Sequence, residues 1–194
     1  MTKSSEYRPY ASPMQGGERN TNPPGVSLRS LLAEDFLRHG SSLASPGFWA
    51  LAVHRLGNWR MDRPALVRWP LTAAYRAAHR SVIMLWGIDM PYCVPIGRRF
   101  RICHHGGVHL GAWSVGDDVT VRHSVTIGVA GVAESTARSP VIGNNVELGP
   151  GATVIGTVSI GDGAYVGPNA LVLEDVPDGA TAFGVPARIQ PERR

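Results

Sequence analysis

The stretch 142–172, IGNNVELGPGATVIGTVSIGDGAYVGPNALV, places an aliphatic residue at every sixth position: Ile142, Leu148, Val154, Ile160, Val166 and Val172. A small or aliphatic residue stands four places after most of them, at Val146, Ala152, Val158, Ala164 and Ala170. Working outward, Ile96, Ile102 and Val108 open the same series, and after a one-residue slip Val115, Val121 and Ile127 continue it. Gly follows the aliphatic position at 97, 116, 128, 143, 149, 161 and 167. A hexapeptide period reads as a parallel β-helix, in which three short strands make one triangular coil and coils stack. Gly serves the corners, where a tight or left-handed backbone is easiest without a Cβ. The run Ile96–Val172 therefore predicts about four coils with inward aliphatic ladders. A helical or sandwich domain with chance periodicity is the alternative, and six consecutive strictly spaced positions argue against it. The spacing itself does not determine the hand of the coil.

The 194 residues allow one good-sized domain with an appendage, and 43% hydrophobic content is ample for a core. The formal charge is +4, but Lys and Arg are scattered and lack interleaved exposed aromatics, which speaks against nucleic acid. The excess fits anionic small molecules or a solvated surface. Two cysteines, Cys93 and Cys103, exclude a disulfide scaffold by number. The opening MTKSSEYRPYASP has no apolar h-region, and Arg68, Arg76 and Arg80 interrupt the apolar stretch 65–88. A cytoplasmic protein is expected.

Residues 1–27 are polar and rich in Pro, Gly, Ser and Asn, and read as a tail. Residues 28–88 read as a helical region. Ser27 is an N-cap candidate for a first helix ending near Gly40, a second spans Pro46 to about Trp59, and a third about Pro64 to Trp86. For the third, Leu66, Trp69, Ala73, Ala77, Ile83 and Met84 are the expected buried face. The solenoid is expected over 89–175, with 129–140 projecting as a loop from one corner. After Val172 the chain, 176–194, is expected to leave the coils.

The solenoid opens GIDMPYCVPIGRRFRICHHGGVHLG at 87–111, and its later part contains GDDVTVRHSVTIG at 116–128 and PVIGNNVELG at 140–149. These segments, with Gly184-Val185-Pro186-Ala187-Arg188, resemble the serine acetyltransferases among the hexapeptide acyltransferases. Within that group they are most similar to the acetyltransferases of colanic acid and exopolysaccharide biosynthesis. The resemblance covers 87–188 well and 47–59 weakly. It implies a left-handed coil, against the usual crossover hand. It also implies acetyl-CoA as co-substrate, no metal, and a homotrimer whose CoA grooves lie between subunits.

By the same resemblance His104 is the general base and Asp89 its orienting carboxylate. Imidazole has the right pKa to take a hydroxyl proton near neutrality, and a carboxylate on the other ring nitrogen fixes its tautomer. His123 stands in the register of His104 one coil on, about 4.8 Å away in strand spacing. It is read as either a substrate contact or a structural stack, with Arg122 beside it. His105 and His109 are read as solvent-facing or structural. Gly128, Gly149, Pro150, Gly167, Pro168 and Arg188 match positions that hold the pantetheine arm and a phosphate; the coil alone would also require the glycines.

The loop sequence Arg138-Ser139-Pro140 keeps an Arg but lacks the His that serine acetyltransferases carry there, and the helical region has no matching acidic segment. The expected acceptor is therefore a sugar hydroxyl of an exopolysaccharide or its precursor, with serine O-acetylation as the alternative. The basic helical region is read as a site of peripheral membrane contact. A γ-carbonic-anhydrase-like metal hydratase is a rival of another class, with His104, His109 and His123 as candidates, but their spacing does not match a zinc ligand set.

Overall fold

The computed structural model describes residues 19–129 and 139–191. The architecture is mainly β: a left-handed parallel β-helix preceded by three helices, α1 (Leu28–Arg38), α2 (Pro46–Trp59) and α3 (Ala65–Trp86). Ser27 caps α1 by accepting from the Ser30 N–H, and Ser45 caps α2 through the Phe48 N–H, so two orphan donors are satisfied. Gly87, at φ 62°, ends α3 and turns the chain into the solenoid.

Three sheets form the faces of the prism. The first stacks β1 (Ile88–Asp89), β3 (Val108–Leu110), β6 (Thr126–Gly128), β9 (Thr153–Ile155) and β12 (Leu171–Val172). The second stacks β4 (Ser114–Val115), β7 (Val141–Ile142) and β10 (Ser159–Ile160), with single bridges from Ile96 to Val115 and from Ile160 to Val176 at its ends. The third stacks β2 (Arg101–Cys103), β5 (Thr120–Arg122), β8 (Glu147–Leu148), β11 (Tyr165–Val166) and β13 (Thr181–Phe183). A last strand, β14 (Arg188–Gln190), pairs antiparallel with β13 and closes the stack. The inward residues are the aliphatic ladder of the sequence, and they form one continuous core from Ile88 to Ala182. No coil buries them alone; each rung is covered by the next.

The corner between the second and third faces explains why the repeat contains Gly followed by Asp or Asn. A Cβ on Gly116 would lie 2.6 Å from the Gly143 carbonyl oxygen, so backbone stacks directly on backbone there. The next residue caps the neighbouring coil: Asp117 accepts from the Arg98 N–H, Asn144 from Asp117, Asp162 from Asn144 and Asp178 from Asp162. A column of side-chain acceptors thus satisfies backbone donors that the corner would leave bare.

Two expectations are corrected. The chain does not leave the coils after Val172: Val176, Ala180 and Ala182 are buried and continue the ladder as a further rung, so there are more coils than the period predicted. Small Ala side chains and Pro177 at the corner hide that rung from an aliphatic-plus-Gly pattern. In α3 the face expected inside is outside: Leu66 is 91% exposed, Trp69 79% and Met84 85%, while Val82 is the buried residue of the helix. Apolar residues ring this helix, so periodicity had two faces to choose from and Tyr75, not Trp69, packs inward against Arg60 and Tyr92. The tail 1–18 and loop positions 130–138 lie outside the described residues. Among the described residues no helix is long and apolar enough to cross a membrane.

Candidate active site

The edge between the third and first faces gathers most of the residues singled out in the sequence. β2 pairs with β5 through Ile102 and Val121, whereas β3 pairs with β6 so that Val108 lies over Val125. The connection from Ile102 to Val108 is thus longer than the one it stacks on. The ladder resumes at Gly106 and Gly107, where the Ser124 N–H donates to the Gly106 carbonyl. His104 and His105 are the surplus and bulge outward as exposed residues. His104 holds a left-handed backbone at φ 62°, which costs a residue with a Cβ about 1–2 kcal/mol. Its ring meets His123 edge to face, with centroids 5.9 Å apart and an interplanar angle of 81°. Nδ1 of His123 is buried and has no hydrogen-bond partner among the described residues.

The same edge continues down the stack. The Gly151 N–H donates to the His123 carbonyl, the Asn169 N–H to Pro150, and the Leu171 N–H to Gly184. His104, His123, Pro150, Pro168 and the Gly184–Arg188 segment therefore line one edge of the prism. The N–H groups of Gly149 and Gly167 are spent in the ladder, on Val166 and Ala182, and the Pro150 carbonyl on Asn169. A Cβ on Gly149 would lie 2.8 Å from the Pro168 nitrogen, so the coil requires that glycine. Gly128 is different: a Cβ there would meet nothing within 4 Å among the described residues, and it lies at the other end of the first face, next to Val129. Arg122 is not free for a substrate; both its Nε and an Nη bond Glu147 on the outer third face. Arg138 lies outside the described residues.

The expected Asp89–His104 pair is not formed. Asp89 and His109 are direct partners in the pairing of β1 with β3, and His109 Nδ1 lies 3.0 Å from Asp89 Oδ2. The register explains the change: the corner bulge carries His104 off the first face, while His109 sits beside Asp89. Oδ1 of Asp89 faces Nε2 of His79 from α3 at 3.5 Å, too long for a good hydrogen bond. His79 in turn stacks on Tyr75, with centroids 5.5 Å apart. The hydrogen bond from His109 holds the Asp89 carboxyl below its ordinary range, and the same bond raises His109. Burial pushes His79 down. Sequence reasoning missed His109 because the two surplus residues at this corner obscure which residues share a rung.

The pairing makes a prediction. Both groups are charged between the ordinary Asp value, about 4, and the ordinary His value, about 6.5. The lowered Asp89 contributes stability that disappears as pH falls through its folded pKa. The raised His109 contributes stability that disappears as pH rises through its own. In Asp89→Asn the hydrogen bond no longer favours the imidazolium and desolvation is left to act, so His109 titrates below its ordinary value. The Hε1 resonance of His109 followed against pH reads this, and an unchanged titration would refute the pairing. Among the described residues no group of three His, Cys, Asp or Glu is arranged to hold a metal ion.

Residues 139–174 match the bacterial transferase hexapeptide family (six repeats). The serine acetyltransferase of Helicobacter pylori is 37% identical over 166 residues, covering 84% of this chain and 93% of that protein. The serine acetyltransferase of Mycobacterium tuberculosis is 38% identical over 145 residues, and the match spans only 60% of its length. Soybean serine acetyltransferase, solved with serine, superposes with a TM-score of 0.71 at 32% identity, covering 84% of this chain and 70% of the soybean chain. These relatives overturn the expectation of an exopolysaccharide sugar as acceptor: they are serine acetyltransferases along most of this chain, helical region included. The absent His beside Arg138 and the unmatched acidic segment were local departures, and they weigh less than a match over 84% of the residues.

Proposed function

We propose, from the premise that this chain belongs to the serine acetyltransferase family of acyltransferases, that it transfers the acetyl group of acetyl-CoA to the hydroxyl of serine. The observation that carries the reading is the exposed imidazole of His104, raised on a left-handed corner against His123 at the head of the edge that ends in Gly184–Arg188. The soybean relative with serine bound supports serine as the acceptor.

In this reading His104 takes the proton as the serine oxygen attacks the thioester carbonyl, the tetrahedral adduct collapses, and the C–S bond breaks. The imidazolium returns the proton to the departing thiolate, so no acyl-enzyme is needed. His123, whose half-buried ring meets that of His104, is assigned to contact with the acceptor. The CoA arm is assigned to the edge of Pro150 and Pro168, with Arg188 for a phosphate and the open corner at Gly128 for close backbone approach. One prism supplies one wall of such a groove, and a homotrimer supplies the second; a sedimentation mass of three chains is the matching result.

The test is acetyl-CoA-dependent thiol release with L-serine. Release is expected to rise at least tenfold over acetyl-CoA alone and to give O-acetylserine by mass spectrometry. Release that ignores serine would defeat the assignment of the acceptor.

A further inference from the structure

The outer face of α3 is not used by the proposed reaction, and it exposes several large apolar side chains. Leu66, Trp69, Ala73, Ala77 and Met84 share one side of the helix with Arg80 among them, Arg76 on the edge beside Trp69, and Val67 and Leu85 on the opposite flank. An unpartnered stripe of this size marks an interaction site in a folded protein. The charge pattern selects the partner. α3 contains no Asp or Glu, and its three arginines, Arg68, Arg76 and Arg80, have no carboxylate within salt-bridge reach among the described residues. A second copy of this helix would set guanidinium against guanidinium. A phosphate-bearing surface would complement them, and Trp69 has the amphipathic ring that settles at a membrane interface. Beside the stripe, α2 and α3 enclose an apolar cleft of about 180 Å³ lined by Val53, Leu56, Leu71, Ala74 and Ala78, which suits hydrocarbon.

We propose that the outer face of α3 docks on an anionic lipid bilayer, with Leu66, Trp69 and Met84 at the acyl boundary and Arg76 and Arg80 among the headgroup phosphates. The helix lies on the surface; it is not one that spans.

The experiment is flotation of the full chain with vesicles of phosphatidylcholine alone and of phosphatidylcholine with roughly one-third phosphatidylglycerol. The protein is expected to float with the anionic vesicles at least tenfold more than with the neutral ones, and to be released at high salt. Leu66→Ser/Trp69→Ser/Met84→Ser and, separately, Arg76→Glu/Arg80→Glu are each expected to lower flotation at least tenfold while thiol release in solution stays as in the wild type. Equal flotation on both vesicles, or variants that float like the wild type, would overturn the proposal. Loss of oligomer mass by light scattering in the serine variant, without vesicle binding by the wild type, would also overturn it and assign the face to a second copy.

Discussion

His104→Ala is expected to lower kcat for serine acetylation by about 10²–10⁴-fold, the usual contribution of a positioned general base. The KM for acetyl-CoA is expected to stay within about threefold, because the ring is assigned to the reacting proton and not to the nucleotide. The fold should be unaffected: His104 is exposed, belongs to the surplus of its corner, and holds no ladder hydrogen bond. Ala removes neither a buried contact nor a cap, so thermal unfolding should move little. The measurement is steady-state thiol release with both substrates varied. A variant that turns over within threefold of the wild type would remove His104 from the reaction. The role would then pass to His109, the imidazole that Asp89 holds at 3.0 Å and whose exposure leaves its ring accessible.

That rivalry shows where sequence reading ends in this chain. The solenoid was legible because its ladder positions are set by local chemistry: an aliphatic residue inside and Gly where backbone lies on backbone at Gly116, while the Asp or Asn that caps the next coil went unread. Helix starts at Ser27 and Pro46 were legible for the same reason. What the sequence concealed depends on register between distant residues. Asp89 meets His109 because two extra residues at one corner shift the first face relative to the third, and no hexapeptide count reveals which face absorbs them. The last rung was concealed by its small residues, Ala180 and Ala182. The buried side of α3 was concealed because its exposed side is also apolar, a conflict that a partner surface resolves. The acceptor was misjudged from a few loop positions, one of them outside the described residues, against a likeness that runs through the helical region as well.

A buried ion pair is one of the ties between the helices and the solenoid, and Arg55→Met is expected to be strongly destabilising. Arg55 and Asp35 are both fully buried. Nε of Arg55 donates to Asp35 Oδ2 at 3.0 Å, and its two terminal nitrogens donate to the carbonyls of Ile96 and Gly97. One side chain from α2 therefore ties α1 to the first corner of the prism. Met fills much the same volume but donates nothing, so a carboxylate and two carbonyls lose their partners in a dry site. Breaking a buried pair in this way costs about 3–5 kcal/mol, which for a chain of this size lowers Tm by roughly 10 °C. Burial already pushes the Asp35 carboxyl up to about 6 against the pull of Arg55, and without Arg55 it rises further. A carboxyl raised in the folded state favours folding below its unfolded value, near 4, and that contribution is lost as pH rises through the folded value. The damage from Arg55→Met should therefore be smaller at pH 5 than at pH 8, each measured against the wild type by thermal unfolding. A loss of less than 2 °C, or one equal at both pH values, would mean that the helices are held to the β-helix by apolar packing around Leu51 and Ile96 and not by this pair.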